Sequence, residues 1–263
     1  MERLRRRLDD IGRAGRHATN PAAAPITPAR AISQLCDLVG GRELRQAGVP
    51  LWEITTTFTD CCHRHSLAMP RRLAEVMAPT LLPTPDLRAP CDPRRTIVVD
   101  IETGGFAGTE VFLIGVVLLD EWPLRVVQWL ARDYPEEAGI LRAMAALARR
   151  YDTWVTFNGK SFDEPFLRDR AAVHRVTLPQ PAEHIDLLHH ARRRWRSGLP
   201  NCKLQTLEQY LLGWQRVGDV PSCDIPDLFH HFIRTGNAAP VRPILEHNQL
   251  DLTSCTELLL RLK

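Results

Sequence analysis

Asp100 and Glu102 stand two residues apart at the end of an apolar, β-branched run, 96–101. Side chains on a strand repeat every two residues, so both carboxylates face one side. Asp163 comes just after the loop Asn158-Gly159-Lys160-Ser161, near the start of a helical stretch. Asp251 falls four residues after His247 in the C-terminal helical stretch, so those two share a helix face. Taken singly, none of these residues identifies a site. With Asp and Glu each near ~6% of a typical chain, a D-x-E triplet arises about once by chance in a protein this long. An isolated aspartate is more often a helix cap or a solvated charge. Order, context and spacing together carry the case.

The chemistry follows from charge. If the four carboxylates converged about 5 Å apart, each pair would repel by about 3 kcal/mol at an effective dielectric near ~20. A domain has only about 5–15 kcal/mol of net stability. Such a pocket must take up protons or hold cations. Oxygen-only ligands favour Mg2+ or Mn2+ over zinc. Two such ions about 3.5–4 Å apart stabilise the attacking and leaving oxygens of an in-line displacement.

The elements that position these groups begin at Arg95. Runs at 96–101, 111–119 and 124–130 read as three strands, the first two separated by Gly104, Gly105 and Gly108. Short connections between successive strands suit an antiparallel meander. Pro135-Glu136-Glu137 opens a helix to Arg150, with its acids at the positive end. A fourth, short strand covers 153–157, and helices are expected at 162–174, 185–196, 204–212, 226–235 and 240–262. This alternation gives an α/β layered domain over 95–263. Residues 1–94 read as an N-terminal appendage, partly loop and linker, punctuated by Pro21, Pro25 and Pro28 and by five prolines within 79–93. Within it, Thr27-Pro28 opens a helix that would bury Ile32, Leu35, Cys36 and Val39, and 51–59 reads as a short strand.

The stretches VVDIETGG, TFNGKSFDEPFLRDR and HNQLD resemble the three exonuclease motifs of the DEDD superfamily. They are most similar to the YprB-like branch of RNase-H-like domains, whose members share the patterns HIDLLHHARR and CKLQTLEQYLLG. The resemblance spans 96–262. It implies an α/β fold with an RNase-H-like mixed sheet, three antiparallel strands and then parallel ones, flanked by helices. It also implies phosphodiester hydrolysis with two divalent ions, Mg2+ or Mn2+. Asp100 and Glu102 match the first motif, Asp163 the second and Asp251 the third, and the resemblance supplies the convergence that spacing alone does not show.

His247 departs from the pattern, because a histidine stands at the four-residue spacing otherwise seen with tyrosine. A neutral imidazole, with a reference pKa near ~6.5, can orient an attacking water or take its proton. Gly104 stands where a second threonine is common, which bears on backbone contact to the substrate end. Thr103, Asn158 and Lys160 sit beside the carboxylates as nucleic-acid contacts, although Lys160 reads equally as a plain loop lysine. Asp186 reads as a cap or an outer support.

Arg192, Arg193, Arg194 and Arg196 form the densest basic cluster of this domain, with Trp195 among them as a ring on which a base could stack. A solvated helix face is the plainer account. Cys61, Cys62, His63 and His65 do not keep the spacing of a structural zinc site. The net charge of +3 does not by itself mark a nucleic-acid binder. Seven scattered cysteines and an Arg-rich start without an apolar signal core suit a reducing cytoplasm, and no apolar run reaches the roughly 20 residues that span a bilayer. No phosphate-binding loop of an ATP motor appears, so unwinding would fall to a helicase in trans.

The leading reading is a two-metal nuclease, a 3′→5′ exonuclease on single-stranded or frayed DNA or RNA ends. A catalytically inactive nucleic-acid-binding module and a partner-recruiting adaptor are the alternatives. Metal binding separates the first from the adaptor, and salt-dependent binding without turnover marks the inactive module.

Overall fold

A computed structural model describes residues 28–65, 67, 92–120 and 122–262. The basic start and most of both proline-rich stretches lie outside the described residues. Among the described residues the strands are β1 (Arg42–Gln46), β2 (Val49–Thr57), β3 (Thr96–Thr103), β4 (Val111–Leu118), β5 (Arg125–Leu130), β6 (Thr153–Thr156) and β7 (Glu183–Asp186). They make one sheet in the order β1-β2-β5-β4-β3-β6-β7. Strands β1 to β5 pair antiparallel, while β3, β6 and β7 are parallel. The helices are α1 (Pro28–Val39), α2 (Phe58–Arg64), α3 (Glu137–Ala148), α4 (Asp163–Val173), α5 (Leu187–Trp195), α6 (Leu204–Leu207), α7 (Ile225–Thr235) and α8 (Val241–Arg261). None of the described helices is long and apolar enough to cross a membrane.

The meander of three antiparallel strands followed by a parallel one is as expected. Two strands were not anticipated. β1, Arg-Glu-Leu-Arg-Gln, is a charged and mostly exposed edge strand, so it buries no face that would leave an apolar period. β7 is four residues long, and its Ile185 and Asp186 belong to the strand instead of the helix expected from 185. The division at 94/95 does not coincide with an edge of the sheet, since β1 and β2 extend it beyond β5. In α1, Leu35 is buried as expected, but Cys36 is exposed. The helix expected at 204–212 widens after Leu207 into a π turn, Glu208–Leu212, closed by Gly213 at φ +83°. Cys61 and Cys62 pack in an apolar cluster with Phe58, and burial pushes both thiols up to about 12.

Both faces of the sheet are covered, which explains why β4 is apolar throughout and buried at every position. Ile97, Val99 and Ile101 of β3 face one cluster with Ile140, Met144 and Leu167 of α3 and α4. Val98 faces a second cluster with Val117 and, from α8, Leu252, Cys255 and Leu259. Asp100 and Glu102 share the parity of Val98, so they point toward α8. Glu137, expected only to favour a helix start, is buried and ties three elements together. It accepts from Val111 N–H at 2.8 Å and pairs with Arg170 at 2.6 Å and His174 at 2.7 Å.

Gly115 sets how closely α8 approaches. It is the β4 partner of Asp100, and a Cβ there would lie 2.8 Å from Asn248 Cγ and from Leu252 Cδ1. Both atoms belong to buried side chains of α8, and the Asn248 amide is held by Gln128 and Asp100. Gly115→Ala is therefore expected to destabilise the protein by about 1–3 kcal/mol, the range for overpacking a filled core. Urea unfolding of the variant checks this, and an unchanged midpoint would show that α8 has slack.

Candidate active site

At the C-terminal end of β3 lies a cavity of about 820 Å³ whose lining includes Asp100, Glu102, Thr103, Asn158, Asp163, His247 and Asp251. The register with β4 shifts between Glu102 and Thr103, where Leu113 and Val111 are the successive partners. The four carboxylates singled out by spacing do share one pocket. Asp100 is held by Asn248, whose Nδ2 donates to Oδ2 at 2.7 Å. Asn248 Oδ1 accepts from Gln128 Nε2 at 2.8 Å, and Gln128 Oε1 accepts from Gln249 at 2.8 Å. This buried amide chain runs from β5 through α8 to the first carboxylate.

Asp163 opens α4, and the loop before it hangs on Asp186. The Asp186 carboxylate accepts from Asn158 N–H at 2.9 Å, Lys160 N–H at 3.2 Å and Leu188 N–H at 3.0 Å. Asp186 is thus both the cap of α5 and the anchor of the loop that presents Asp163. Asn158 itself sits at φ +66°, a conformation its short amide tolerates. Thr103 Oγ1 accepts from Gly105 N–H at 3.3 Å and turns the chain into the glycine loop.

The pocket concentrates negative charge. Burial, then the Asp251, Glu102 and Asp163 charges, hold the Asp100 carboxyl well above its usual range. Burial raises Glu102 to about 8 and Asp163 to about 7; in both, Asp251 adds to the rise, while His247 opposes it at Glu102. For His247 burial works downward, but the Asp219 hydrogen bond and the Asp251 and Glu102 charges prevail and raise it to about 9. Its Nδ1–H donates to Asp219 Oδ1 at 2.9 Å, which leaves Nε2 3.3 Å from Ser222 Oγ and 3.7 Å from Asp251 Oδ2. Asp251 Oδ1 is in contact with Arg216, which also grips Glu208 and Asp219.

The donor chemistry fits a hard divalent cation, since every carboxylate is an oxygen ligand and three of them are held above their usual range for want of a counter-charge that a cation would supply. Among the described residues, however, no three His, Cys, Asp or Glu side chains are gathered closely enough to share one ion in this arrangement. The four carboxylates share a pocket, with Asp251 engaged by Arg216.

The expected nucleic-acid contacts divide. Thr103 and Asn158 line the cavity, whereas Lys160, Arg192, Arg193, Arg194, Trp195 and Arg196 are not among its lining residues. Asp186 caps α5, and the last turn of that helix, which carries the arginines, lies on the order of 10 Å along the axis from this cap. Arg192 and Arg196 line a separate hollow with Leu199 and Cys202. Trp195, partly buried, packs on the second apolar cluster with the Arg194 guanidinium 5.6 Å from its ring centre. The exposed rings at the cavity are instead Phe106, in the glycine loop, and Phe162, just before Asp163.

Sequence reading missed Asn248, Asp219, Arg216 and Gly115. Two of these had a signal. Asn248 precedes Asp251 by one helical turn, and a glycine inside a β-branched strand marks a close backbone approach. Arg216 and Asp219 lie in an irregular loop with no period to read.

Comparison with known proteins places these motifs. The RNase_H_2 family of the RNase_H superfamily matches residues 97–262. The uncharacterized protein YprB of Bacillus subtilis (strain 168) is 34% identical over 164 residues, 60% of this chain and 40% of that protein. The chain thus spans well under half the length of that relative. The family B DNA polymerase of the archaeon Pyrobaculum calidifontis superposes with a TM-score of 0.52 at 14% identity, over 95% of this chain and 33% of the polymerase. At that identity the likeness speaks for the fold alone.

Proposed function

The chain belongs to the RNase_H_2 family of the RNase_H superfamily, and from that premise we propose that it is a divalent-metal-dependent nuclease. It hydrolyses phosphodiester bonds as a 3′→5′ exonuclease on single-stranded or frayed DNA or RNA ends. The observation that carries this reading is the meeting of Asp100, Glu102, Asp163, Asp251 and His247 in one cavity, with three of the carboxylates pushed up.

Asp100, Glu102, Asp163 and Asp251 would hold two Mg2+ or Mn2+ ions. Such ions supply charge stabilisation to the attacking and leaving oxygens. The chain's own part is orientation and proton handling. Asn248 fixes the Asp100 carboxylate, and Asp219 fixes the His247 tautomer so that Nε2 is the atom left to hold or take a proton at the attacking water. With the charges of Asp251 and Glu102 neutralised, two of the influences that keep the proton on His247 fall away. Phe106 and Phe162 offer apolar faces to unpaired bases, which suits single strands. Phe106→Ala is expected to weaken oligonucleotide binding by about 1–3 kcal/mol while leaving the metal affinity alone. Fluorescence anisotropy checks it, and unchanged binding would remove Phe106 from the substrate path. Unwinding of duplex falls to a helicase in trans.

The engagement of Asp251 by Arg216 favours a second reading, a nucleic-acid-binding module that has kept the fold without turnover. End-labelled single-stranded DNA and RNA, incubated with Mn2+ or Mg2+, decide between the two. A ladder of shortened products that disappears with EDTA establishes the nuclease, and the surviving label gives its direction. Salt-sensitive binding with no cutting under either metal transfers the case to the binding module.

A further inference from the structure

Arg216 touches the carboxylate site directly yet has no part in the proposed hydrolysis, and a role for it there rests on the metal-dependent reading of the site. The loop between the π turn and α7 delivers its side chain into the interior, where only 6% of it is exposed. Nε lies 2.9 Å from Glu208 Oε2, Nη1 lies 3.1 Å from Asp219 Oδ2, and Nη2 touches both Glu208 and Asp251 Oδ1. Glu208 is wholly buried and accepts a second bond, from Ser254 Oγ at 2.6 Å. One guanidinium therefore joins a buried anchor, the carboxylate that orients His247, and the third-motif carboxylate. The planar fork of arginine can bridge such a set, which the point charge of a lysine does not.

We propose that Arg216 is a built-in counter-cation of the carboxylate site, competing with the divalent ion for Asp251 and so holding metal affinity down. An oxygen already paired with a fixed positive charge donates poorly to a second cation. A unit charge a few ångströms from a divalent ion opposes it by roughly tenfold in affinity even at a water-like dielectric. Arg216 is thus a positioning residue: it steadies Asp251 and Asp219 without metal and yields Asp251 in part when metal arrives.

The test is calorimetric titration of Mn2+ into the wild type and into the double variant E208Q/R216Q. That pair removes the cation together with its buried partner, so the net charge of the interior is unchanged, and Asp219 keeps His247 as its partner. Mn2+ is expected to bind the variant about tenfold more tightly. General damage to the site would weaken binding, so tightening is specific to a lost competitor. Equal or weaker affinity in a folded variant overturns the proposal. Should the double variant not fold, the wild type answers alone: the Arg216 guanidinium NMR signals are expected to move as Mg2+ saturates, and stationary signals overturn the proposal. A wild type that binds no Mn2+ at all sinks the metal-dependent reading itself, a different failure from wild-type binding that the variant does not tighten.

Discussion

Asp100→Asn is expected to abolish metal-dependent cleavage, by about a thousandfold or more, while raising the thermal stability of the metal-free protein. The two effects have one cause. A carboxylate that shares metal ligation contributes several kcal/mol of transition-state charge stabilisation, and each 1.36 kcal/mol is about tenfold in rate. Without metal the same group is a liability, because burial and the neighbouring Asp251, Glu102 and Asp163 oppose its charge. Asparagine keeps an oxygen for Asn248 Nδ2, which donates to Asp100 at 2.7 Å, so the packing survives. Turnover of a labelled oligonucleotide and melting in EDTA check the two halves. A variant that loses activity and also melts well below wild type would show that Asp100 is a structural group and not part of a repelling cluster.

Metal-free protein is expected to lose stability as the pH rises from about 7 to about 9, above the range in which the lowered histidines His65, His184 and His231 titrate, and Mn2+ is expected to restore much of it. Glu102 moves from 4.5 to about 8 and Asp163 from 3.8 to about 7 on folding, and His247 moves from 6.5 to about 9. All three are raised in the folded state. Each therefore contributes fully below its unfolded value, and that contribution is lost as the pH climbs through the folded one. Asp219 and Glu137 are lowered, so their contributions fail only on acidification, below this window. A displacement of one pH unit in a group's titration is worth about 1.4 kcal/mol, so the raised groups cost several kcal/mol by pH 9. For a domain of this size that is a fall in Tm on the order of 10 °C. Differential scanning calorimetry in EDTA and in Mn2+ across this range is the measurement. A flat profile in EDTA would mean that the carboxylates are better solvated than their placement indicates.

Much of the domain was legible because its cause is local. Thr96–Thr103 and Val111–Leu118 are β-branched runs separated by Gly104, Gly105 and Gly108, and such a run forms a strand wherever it is buried. The parity of Asp100 and Glu102, and the one-turn separation of His247 and Asp251, follow from backbone geometry that any strand or helix imposes. Edge strand β1 escaped because a strand with no buried face leaves no apolar period. Where the basic cluster lies relative to the cavity was not legible, because it depends on where α5 starts, and Asp186 sets that start through bonds to a loop some 26 to 28 residues earlier.

What the sequence by itself determined, then, is which side chains share a face: the first-motif pair on β3, and His247 with Asp251 on α8. The tertiary structure alone decided which faces meet and which partner each buried charge takes. Gly115 admits α8 close to β3, Gln128 reaches across to steady Asn248 and so Asp100, and an irregular loop brings Arg216 and Asp219 onto Asp251 and His247. The physical reason is that spacing along the chain governs direction over one or two turns, whereas a buried charge is held by whatever counter-group desolvation makes it costly to leave without. That group can come from any segment the packed core carries within reach.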